Sequence, residues 1–285
     1  MLTLANILTD GLAYGMVLFI IAVGLSVTLG LMRFVNLSHG AFAMVGGYCT
    51  ALLVREQGVS FWLALPVGVL AAGVLGALLE ALVLRHLYRR SDLDQVLFTI
   101  GLTFALIAST NALVGPQVQL IPLPPLLAQS VDLGFRTLPA QRLFVIAMGL
   151  AVALAAAWVV ARTRFGVWLR AAVDKPDAAA ALGIPIRRVQ CLSFAVGAGL
   201  AGLGGVLGAE LMPLEPYYAL KYLVLVLVVV AVGGMGRIGG SLAAAVVLGT
   251  VETASKYLAS QWGSLFFFVV MGLLLAWRPN GLLKR

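Results

Sequence analysis

Charged residues are scarce in this chain. Its 285 residues include 19 Lys or Arg and 11 Asp or Glu, so that 11% are charged while 62% are hydrophobic. Soluble globular domains carry about 25% charged and about 45–50% apolar residues, and the mean hydropathy of +1.06 widens the contrast. The composition excludes an ordinary soluble protein. It predicts an all-α polytopic membrane protein, because helices satisfy their own backbone hydrogen bonds in lipid.

Cysteine and histidine are equally rare, with two of each. Cys49 and Cys191 fall inside or at the ends of apolar segments, so neither a structural disulfide nor a cysteine-based metal site is expected. Two histidines are too few for a site that needs several of them. We therefore expect no metal in this chain.

The motifs of nucleotide binding and catalysis are also missing. The chain has no G-x-x-x-x-G-K-[ST] run to hold ATP phosphates, no nucleophile elbow and no H-E-x-x-H motif. The run GMGRIG at 234–239 fits G-x-G-x-x-G, but it lies between two apolar segments and lacks the preceding strand that a dinucleotide site requires. We expect no enzyme and no cofactor here, and transport is favoured over catalysis.

Long apolar runs fill the chain instead. Charges, prolines and polar clusters divide the sequence into nine candidate membrane spans, at 8–31, 36–54, 60–84, 96–114, 141–161, 191–211, 218–235, 240–258 and 263–278. A helix of about 20 apolar residues crosses the hydrocarbon core. We predict about nine transmembrane helices, with a range of 8–10 because several turns are short, in a single transmembrane domain covering 1–285.

Lys and Arg are unevenly distributed among the loops. If the N-terminus is outside and the spans alternate, fourteen of the nineteen are cytoplasmic: Arg33, Arg85, Arg89, Arg90, Arg162, Arg164, Arg170, Lys175, Arg187, Arg188, Arg237, Arg278, Lys284 and Arg285. The other side keeps Arg55, Arg136, Arg142, Lys221 and Lys256. This asymmetry follows the positive-inside rule. It predicts an outside N-terminus and a cytoplasmic C-terminus, and it makes the net charge of +8 a topology signal rather than a sign of nucleic acid binding.

One long polar stretch, residues 162–190, interrupts the apolar runs and holds six of the nineteen basic residues. Its small-residue helix at 177–182, ended by Gly183, is too short to span a bilayer. Since long apolar segments flank the stretch on both sides, we predict a loop at the membrane face that docks a partner outside the membrane.

A second polar feature, NLSHG at 36–40, separates the first two spans. Two interpretations carry equal weight. It is either a broken helix beside a transport pathway, since irregular backbone at membrane depth needs a cover of protein or a water-filled cavity, or an ordinary interfacial hairpin in which Asn36 is the N-cap.

The third span carries Gly68, Ala72, Gly76 and Glu80 at four-residue intervals, which places them on one helix face. Small residues in this register allow close helix packing.

Glu80 is a candidate buried charge. Its position five residues before Arg85 slightly favours a solvated carboxylate near the cytoplasmic interface.

Small residues also form a stripe in the sixth span, at Gly197, Ala201, Gly205 and Ala209, which predicts a central, closely packed helix.

The β-branched seventh span is expected to be helical because of its length and its transmembrane context. In the eighth span, Glu252 and Lys256 are spaced for an i,i+4 pair. We take Glu80 and Glu252 as the only carboxylates inside the spans.

The predicted external loop, 115–141, contains five prolines, Pro116, Pro122, Pro124, Pro125 and Pro139. It is too rich in proline to continue a helix, so we expect an extended external segment. Such a loop is more commonly a plain connector than a docking surface.

Several runs resemble a known family. DAAAALG at 177–183 resembles the cytoplasmic E-A-A-x-x-x-G loop of ABC-importer permeases, with Asp in place of the leading Glu. FAVGAGLAGLGGVL at 194–207, the early GLMRFVNLSHGAFAMVGGY and the closing RPNGLLKR are similar to the branched-chain amino acid permease group. The resemblance covers nearly the whole chain. The short N-terminus and the lack of a C-terminal extension fit the H-type better than the M-type subunit.

The resemblance implies a type II-like ABC importer half in the bacterial inner membrane. It implies a second permease of the M type, two cytoplasmic ATPase subunits that use the ATP, and a periplasmic substrate-binding protein. The coupling helix to the ATPase would contain Asp177, Ala178, Ala179 and Gly183, and the translocation pathway would include Asn36, Ser38, His39, Gly40 and Glu80. Leucine, isoleucine or valine is the expected cargo. Urea, short amides or other amino acids remain open, as do pairing with a second copy and a stand-alone secondary transporter.

Overall fold

The computed structural model describes residues 2–32, 34–88, 90–132, 137–258, 261 and 263–277. Within these ranges the chain is mostly helical, with one short hairpin and a 3-10 turn at Leu84–His86. The helices are α1 Leu2–Met32, α2 His39–Arg55, α3 Phe61–Leu82, α4 Asp92–Val114, α5 Pro125–Ala128, α6 Ala140–Arg162, α7 Arg164–Asp174, α8 Pro176–Ala181, α9 Ile186–Leu207, α10 Tyr218–Gly233, α11 Ile238–Leu258 and α12 Gly263–Trp277.

Each of the nine predicted spans coincides with a helix, including the β-branched α10. Six of the helices, α1, α3, α4, α6, α9 and α11, are long and apolar enough to cross a membrane by length and composition. Helix α10 and the apolar part of α12, Leu265–Leu274, are shorter, and α2 has 17 residues. The helical segments are therefore confirmed, while the number that cross the membrane stays a prediction.

The starts of α1 and α6 lie at the same end of the molecule as the ends of α9 and α11. Arg142, in the first turn of α6, pairs with Asp10 near the start of α1. The Gln141 side chain donates a hydrogen bond of 3.0 Å to the carbonyl oxygen of Leu207, at the end of α9. Tyr257, in the last turn of α11, donates to the Asp10 carboxylate at 2.6 Å. We call this the N-terminal end.

The opposite end brings together the end of α1, the start of α4 and the turn between α10 and α11. The backbone N–H of Gly236, in that turn, donates to the carbonyl oxygen of Ser26 on α1 at 3.1 Å. Gln95, in the first turn of α4, bonds to the chain that follows α1. This arrangement is the one that helices alternating in direction produce. The structure contains no membrane, so which end faces the cytoplasm stays a prediction.

Close packing of glycines joins α1, α2 and α9 at the centre of the bundle. Gly46 on α2 lies so close to α9 that a Cβ on it would be 2.5 Å from the Cα of Gly202. A Cβ on Gly197 would be 3.1 Å from the carbonyl oxygen of Gly24 on α1. The predicted small stripe of α9 is confirmed as a packing surface, although α9 ends at Leu207, before Ala209. The small face of α3 is also confirmed, since Gly68, Ala72 and Gly76 are all buried.

The outer helices carry apolar side chains on the surface of the bundle. Large exposed examples lie on α3, α4 and α6. Apolar surface of this extent marks contact with lipid or another subunit. The bundle therefore has a closely packed centre and an apolar surface suited to a bilayer.

The loop at 115–141 has more structure than the extended segment we predicted. It contains α5, followed by β1 Ser130–Asp132 and β2 Thr137–Pro139, which pair antiparallel with Val131 opposite Leu138. The N–H of Gln119 also donates to the carbonyl oxygen of Leu214 at 2.8 Å. The prolines prevent one long helix here, but they are compatible with a short β-hairpin. Arg33, Arg89, Arg136 and the closing RPNGLLKR lie outside the described residues.

Candidate functional site

The chain between α1 and α2 is not helical at residues 34–38. Helix α2 begins at His39 and Ser38 occupies its N-cap position, without a side-chain capping bond. The Asn36 side-chain oxygen accepts from the Ser38 N–H at 3.0 Å and from the Ser38 hydroxyl at 2.6 Å. The detail of the hairpin interpretation that makes Asn36 the N-cap is therefore wrong. Asn36 instead closes a turn by bonding two residues ahead, as asparagine commonly does.

A polar stripe on α4 satisfies the backbone of this break. The N–H groups of Val35 and Leu37 donate to the side chains of Gln95 and Thr99, each at 3.2 Å. The hydroxyl of Thr103 donates to the carbonyl oxygen of Leu37 at 3.3 Å. Sequence reasoning missed the role of this stripe, whose signal was three polar residues at four-residue spacing in an apolar helix.

The break is covered by protein. The His39 ring nitrogen Nε2 lies 2.9 Å from the carbonyl oxygen of Ile21 on α1, and Asn36, Ser38 and His39 are all buried. A Cβ on Gly40 would be 2.5 Å from the carbonyl oxygen of Ala219 on α10. The Asn36 amide nitrogen has no hydrogen-bond partner among the described residues. Burial of this kind is what allows irregular backbone at membrane depth.

Glu80 is buried, with 1% of its surface exposed, so our preference for a solvated carboxylate was wrong. The Tyr88 hydroxyl donates to one of its oxygens at 3.1 Å and the Arg85 guanidinium to the other at 3.4 Å. Sequence spacing could not show that the turn after α3 folds back over the carboxylate. Burial, together with the neighbouring Glu80 charge, raises the pKa of Tyr88 and keeps its hydroxyl protonated.

The Glu80 cluster and the break are neighbours. The Tyr88 ring packs edge-on against the ring of Phe34, the first residue of the break, with 5.3 Å between their centroids. The Gln95 amide also donates to the carbonyl oxygen of Leu87 at 3.2 Å. The Glu80 cluster thus adjoins the start of the break through Tyr88 and Gln95. His39 and Gly40 lie farther from it, beside Ile21 in the middle of α1 and Ala219 in the first turn of α10.

Two short helices connect α6 to α9. The predicted small-residue helix is confirmed as α8, Pro176–Ala181, and it leaves Asp177 and Ala178 exposed while Ala179 is buried. Gly183 ends this segment at φ +83°, a left-handed conformation that favours glycine. The helix before it, α7, was not predicted. It begins after Thr163, whose hydroxyl oxygen caps it by accepting from the Gly166 N–H at 3.1 Å.

Helix α7 fixes the base of α8 to the bundle. Leu169 and Ala172 of α7 pack with Val189 of α9 in a small apolar cluster, with Val27 of α1 against it. Arg170 also donates to the carbonyl oxygen of Val160, near the end of α6. Helix α8 is therefore connected to α1 and α9 through the packing of α7.

A third buried carboxylate, Asp10 on α1, was missed. It is paired with Arg142 and accepts from the Tyr257 hydroxyl, so the prediction that Glu80 and Glu252 are the only carboxylates inside the spans is wrong. The sequence signal for a buried charge at Asp10 was a single acidic residue within an apolar run. The Glu252–Lys256 pair is confirmed at 3.0 Å.

Comparison with known proteins shows which family this arrangement belongs to. Residues 7–275 match the model of the family described as branched-chain amino acid transport system / permease component. The chain belongs to this family. Its members are transport permeases, which agrees with the lack of catalytic motifs in the sequence.

Individual relatives cover almost the whole chain. The permease LivH of Escherichia coli is 26% identical over 97% of this chain and 94% of its own length. LivH of Methanocaldococcus jannaschii is 24% identical over 91% of this chain and 84% of its own length. LivM of Escherichia coli is 28% identical but is matched over only 68% of its length. The coverage is consistent with the H type of permease.

A solved structure with a similar fold is also found. PsaBC from Streptococcus pneumoniae in complex with Fab contains a chain that matches with a TM-score of 0.54 at 14% identity, covering 95% of this permease and 91% of that chain. At this identity the likeness supports the fold alone.

Proposed function

We propose that this permease is a transmembrane subunit of an ATP-driven ABC importer in the bacterial inner membrane, and that it moves leucine, isoleucine, valine or related aliphatic amino acids inward. Its partners would be a second, M-type permease, two cytoplasmic ATPase subunits and a periplasmic binding protein. Membership of the family supports the class of transporter. The observation that carries the proposal is the exposed helix α8.

Helix α8 has the features of a docking element. All of its residues except Ala179 are exposed, and most carry only a methyl side chain, so a partner can approach the backbone closely. Leu182 follows α8 with 84% of its surface exposed. A leucine so exposed would be covered when an ATPase cleft receives the helix. Since the sequence has no ATP-binding motif of its own, such a partner would supply the energy.

We further propose that residues 36–40 and Glu80 contribute to the translocation pathway. The unpartnered Asn36 amide supports this, because a buried polar group without a hydrogen bond costs about 1–3 kcal/mol. A second conformation that pairs this group would offset the cost. ATP binding at the partner would bias the permease between two such states through α8.

The ion pairs of the bundle argue against a stand-alone secondary transporter. Such a transporter needs a carboxylate that can exchange a coupling ion. Within the described residues, Asp10, Glu80 and Glu252 each have a basic partner on the same chain. The import of substrate by an ion gradient would have to break one of these pairs. Uptake by the reconstituted chain alone, without ATP, would support that rival.

The docking proposal is tested by Leu182→Glu in the assembled transporter. Loss of a buried leucine contact costs about 1.5–3 kcal/mol, so co-purification of the ATPase subunits should fall about tenfold or more, and uptake should fall with it. The control is Leu126→Glu, on the external loop, whose leucine is 65% exposed. Normal ATPase association of the Leu182→Glu variant, or of a variant that lacks residues 177–182, would refute the coupling role.

The cargo requires a separate measurement. Proteoliposomes that contain the full transporter and its binding protein should take up labelled leucine, and isoleucine and valine should compete with it. Competition by urea or short amides, with none by aliphatic amino acids, would assign the permease to a different cargo within the same family.

A further inference from the structure

An apolar cavity of about 210 Å³ lies between α1, α6 and α9, and α7 also contributes to its wall. Val27, Val152, Val159 and Val196 form much of its wall. Among the described residues of the lining, Ser193 is the one polar side chain, and its hydroxyl already donates to the carbonyl oxygen of Val189 at 2.7 Å. The cavity therefore suits hydrocarbon and offers a charged solute no side chain to bind.

A second cavity, of about 290 Å³, continues the first toward the end of α6. The two share Val27, Val160, Leu169 and Ile238 in their walls. We call the combined feature the α6–α7 groove, defined by these shared residues together with Val152 at one end and Arg170 at the other. From Val152 to Val160 the groove follows α6 for about 12 Å.

Opposite charges lie at the polar end of the groove. Arg170 and Asp174 line the second cavity one helical turn apart on α7. Among the described residues neither has an ion-pair partner. One guanidinium N–H of Arg170 bonds to the carbonyl oxygen of Val160, which leaves others to donate. The groove thus combines a hydrocarbon-lined part with one cation and one anion.

These features match a phospholipid better than a transported amino acid. The apolar part follows α6 for about 12 Å, which is longer than the side chain of leucine, isoleucine or valine and suits an acyl chain. Arginine binds phosphate through several N–H groups at once. Trp168 on α7 is 39% exposed, and tryptophan in this position is typical of a helix at the membrane interface.

We propose that the α6–α7 groove binds a phospholipid whose headgroup carries both a phosphate and a primary ammonium, as phosphatidylethanolamine does. One acyl chain occupies the apolar part, the phosphate binds Arg170 and the ammonium binds Asp174. The proposal rests on the membrane location of the proposed function, but it does not depend on the cargo or on the ATPase.

Native mass spectrometry of the purified, delipidated full chain tests the proposal. Phosphatidylethanolamine, phosphatidylcholine and phosphatidylglycerol with the same acyl chains are titrated in turn. We expect phosphatidylethanolamine to bind about fivefold more tightly than the other two. Equal binding of the three lipids, or a preference for either of the others, would overturn the proposal. Because no transport is measured, a failure here leaves the proposed function unaffected.

Variants assign the two charges separately. Arg170→Gln should weaken phosphatidylethanolamine and phosphatidylglycerol alike, since both carry the phosphate. Asp174→Asn should abolish the preference for phosphatidylethanolamine while phosphatidylglycerol binds at least as well as before. The matched controls are Arg188→Gln and Asp92→Asn, at exposed residues outside the groove, and they should bind like the wild type.

A third variant tests the apolar part. Ala156→Phe fills the wall of the first cavity and should weaken all three lipids by a similar factor. Size-exclusion profiles that match the wild type would show that the variants fold. Wild-type lipid binding by both Arg170→Gln and Ala156→Phe would refute the site. Loss of ATPase association in Arg170→Gln with unchanged lipid binding would assign the groove to the ATPase instead.

Discussion

Gly46→Ala should separate α2, the helix that follows the polar break, from α9. Gly46 lies on α2, eight residues after the break ends, and it faces Gly202 on α9. A Cβ at Gly46 would be 2.5 Å from the Cα of Gly202 and 2.9 Å from both its carbonyl carbon and oxygen. All three obstacles are backbone atoms, so no side-chain rotation can relieve them.

The magnitude follows from two opposing effects. Ordinary contact begins at 3.4 Å, so the helices must move apart locally by about 0.9 Å or the backbone must deform. Overpacking in a tight core costs about 1–3 kcal/mol, and a rigid backbone obstacle favours the upper part of this range. Alanine gains about 1 kcal/mol over glycine within a helix. We expect a net destabilisation of about 1–2 kcal/mol.

The measurement is the free energy of unfolding in mixed detergent micelles, with uptake by the assembled transporter as a second readout. The matched control is Gly101→Ala on α4, where a Cβ would meet no heavy atom within 4 Å. It should be neutral or slightly stabilising, because only the helix preference changes. A Gly46→Ala variant as stable as Gly101→Ala would show that α2 and α9 do not pack as described.

Three further substitutions test the polar contacts by their effect on the free energy of unfolding. Gln95→Leu leaves a backbone N–H of the break unpaired and should cost about 1–3 kcal/mol; no loss would mean that α4 does not satisfy the break. Glu80→Gln keeps an acceptor for its tyrosine partner but loses the charge pair with Arg85, which is 35% exposed, and should cost about 1 kcal/mol. Asp10→Asn leaves the partly buried Arg142 without its countercharge and should cost about 3 kcal/mol. The expected order rests on Arg142 being less exposed than Arg85, at 26% against 35%, so a larger loss in Glu80→Gln than in Asp10→Asn would contradict it.

The positions of the apolar helices could be predicted from the sequence because each depends on local composition. A run of apolar residues cannot remain in water and cannot enter lipid without satisfying its backbone, so it forms a helix wherever it occurs. The turn at Gly183 and the small helix before it were also visible, since glycine ends a helix through its own backbone conformation. The same holds for the i,i+4 pair of Glu252 and Lys256.

Contacts between distant segments could not be predicted. The burial of Glu80 depends on a turn that brings Tyr88 back over it, and the role of Gln95 depends on α4 packing against a break some 60 positions earlier in the chain. The ion pair of Asp10 could not be predicted, because its partner Arg142 lies 132 positions later in the chain. Helix α7 could not be predicted, because its mixture of basic and apolar residues is also typical of a polar loop.

The sequence by itself therefore determined the class of protein, the apolar helices and the exposed segment at 177–183, because composition and local backbone preference act within a few residues. Only the tertiary structure decided which polar groups are buried and paired, where the break is covered, and how α7 and α6 enclose a groove. A polar side chain in a membrane bundle obtains its partner from a neighbouring helix, and sequence distance does not specify that neighbour.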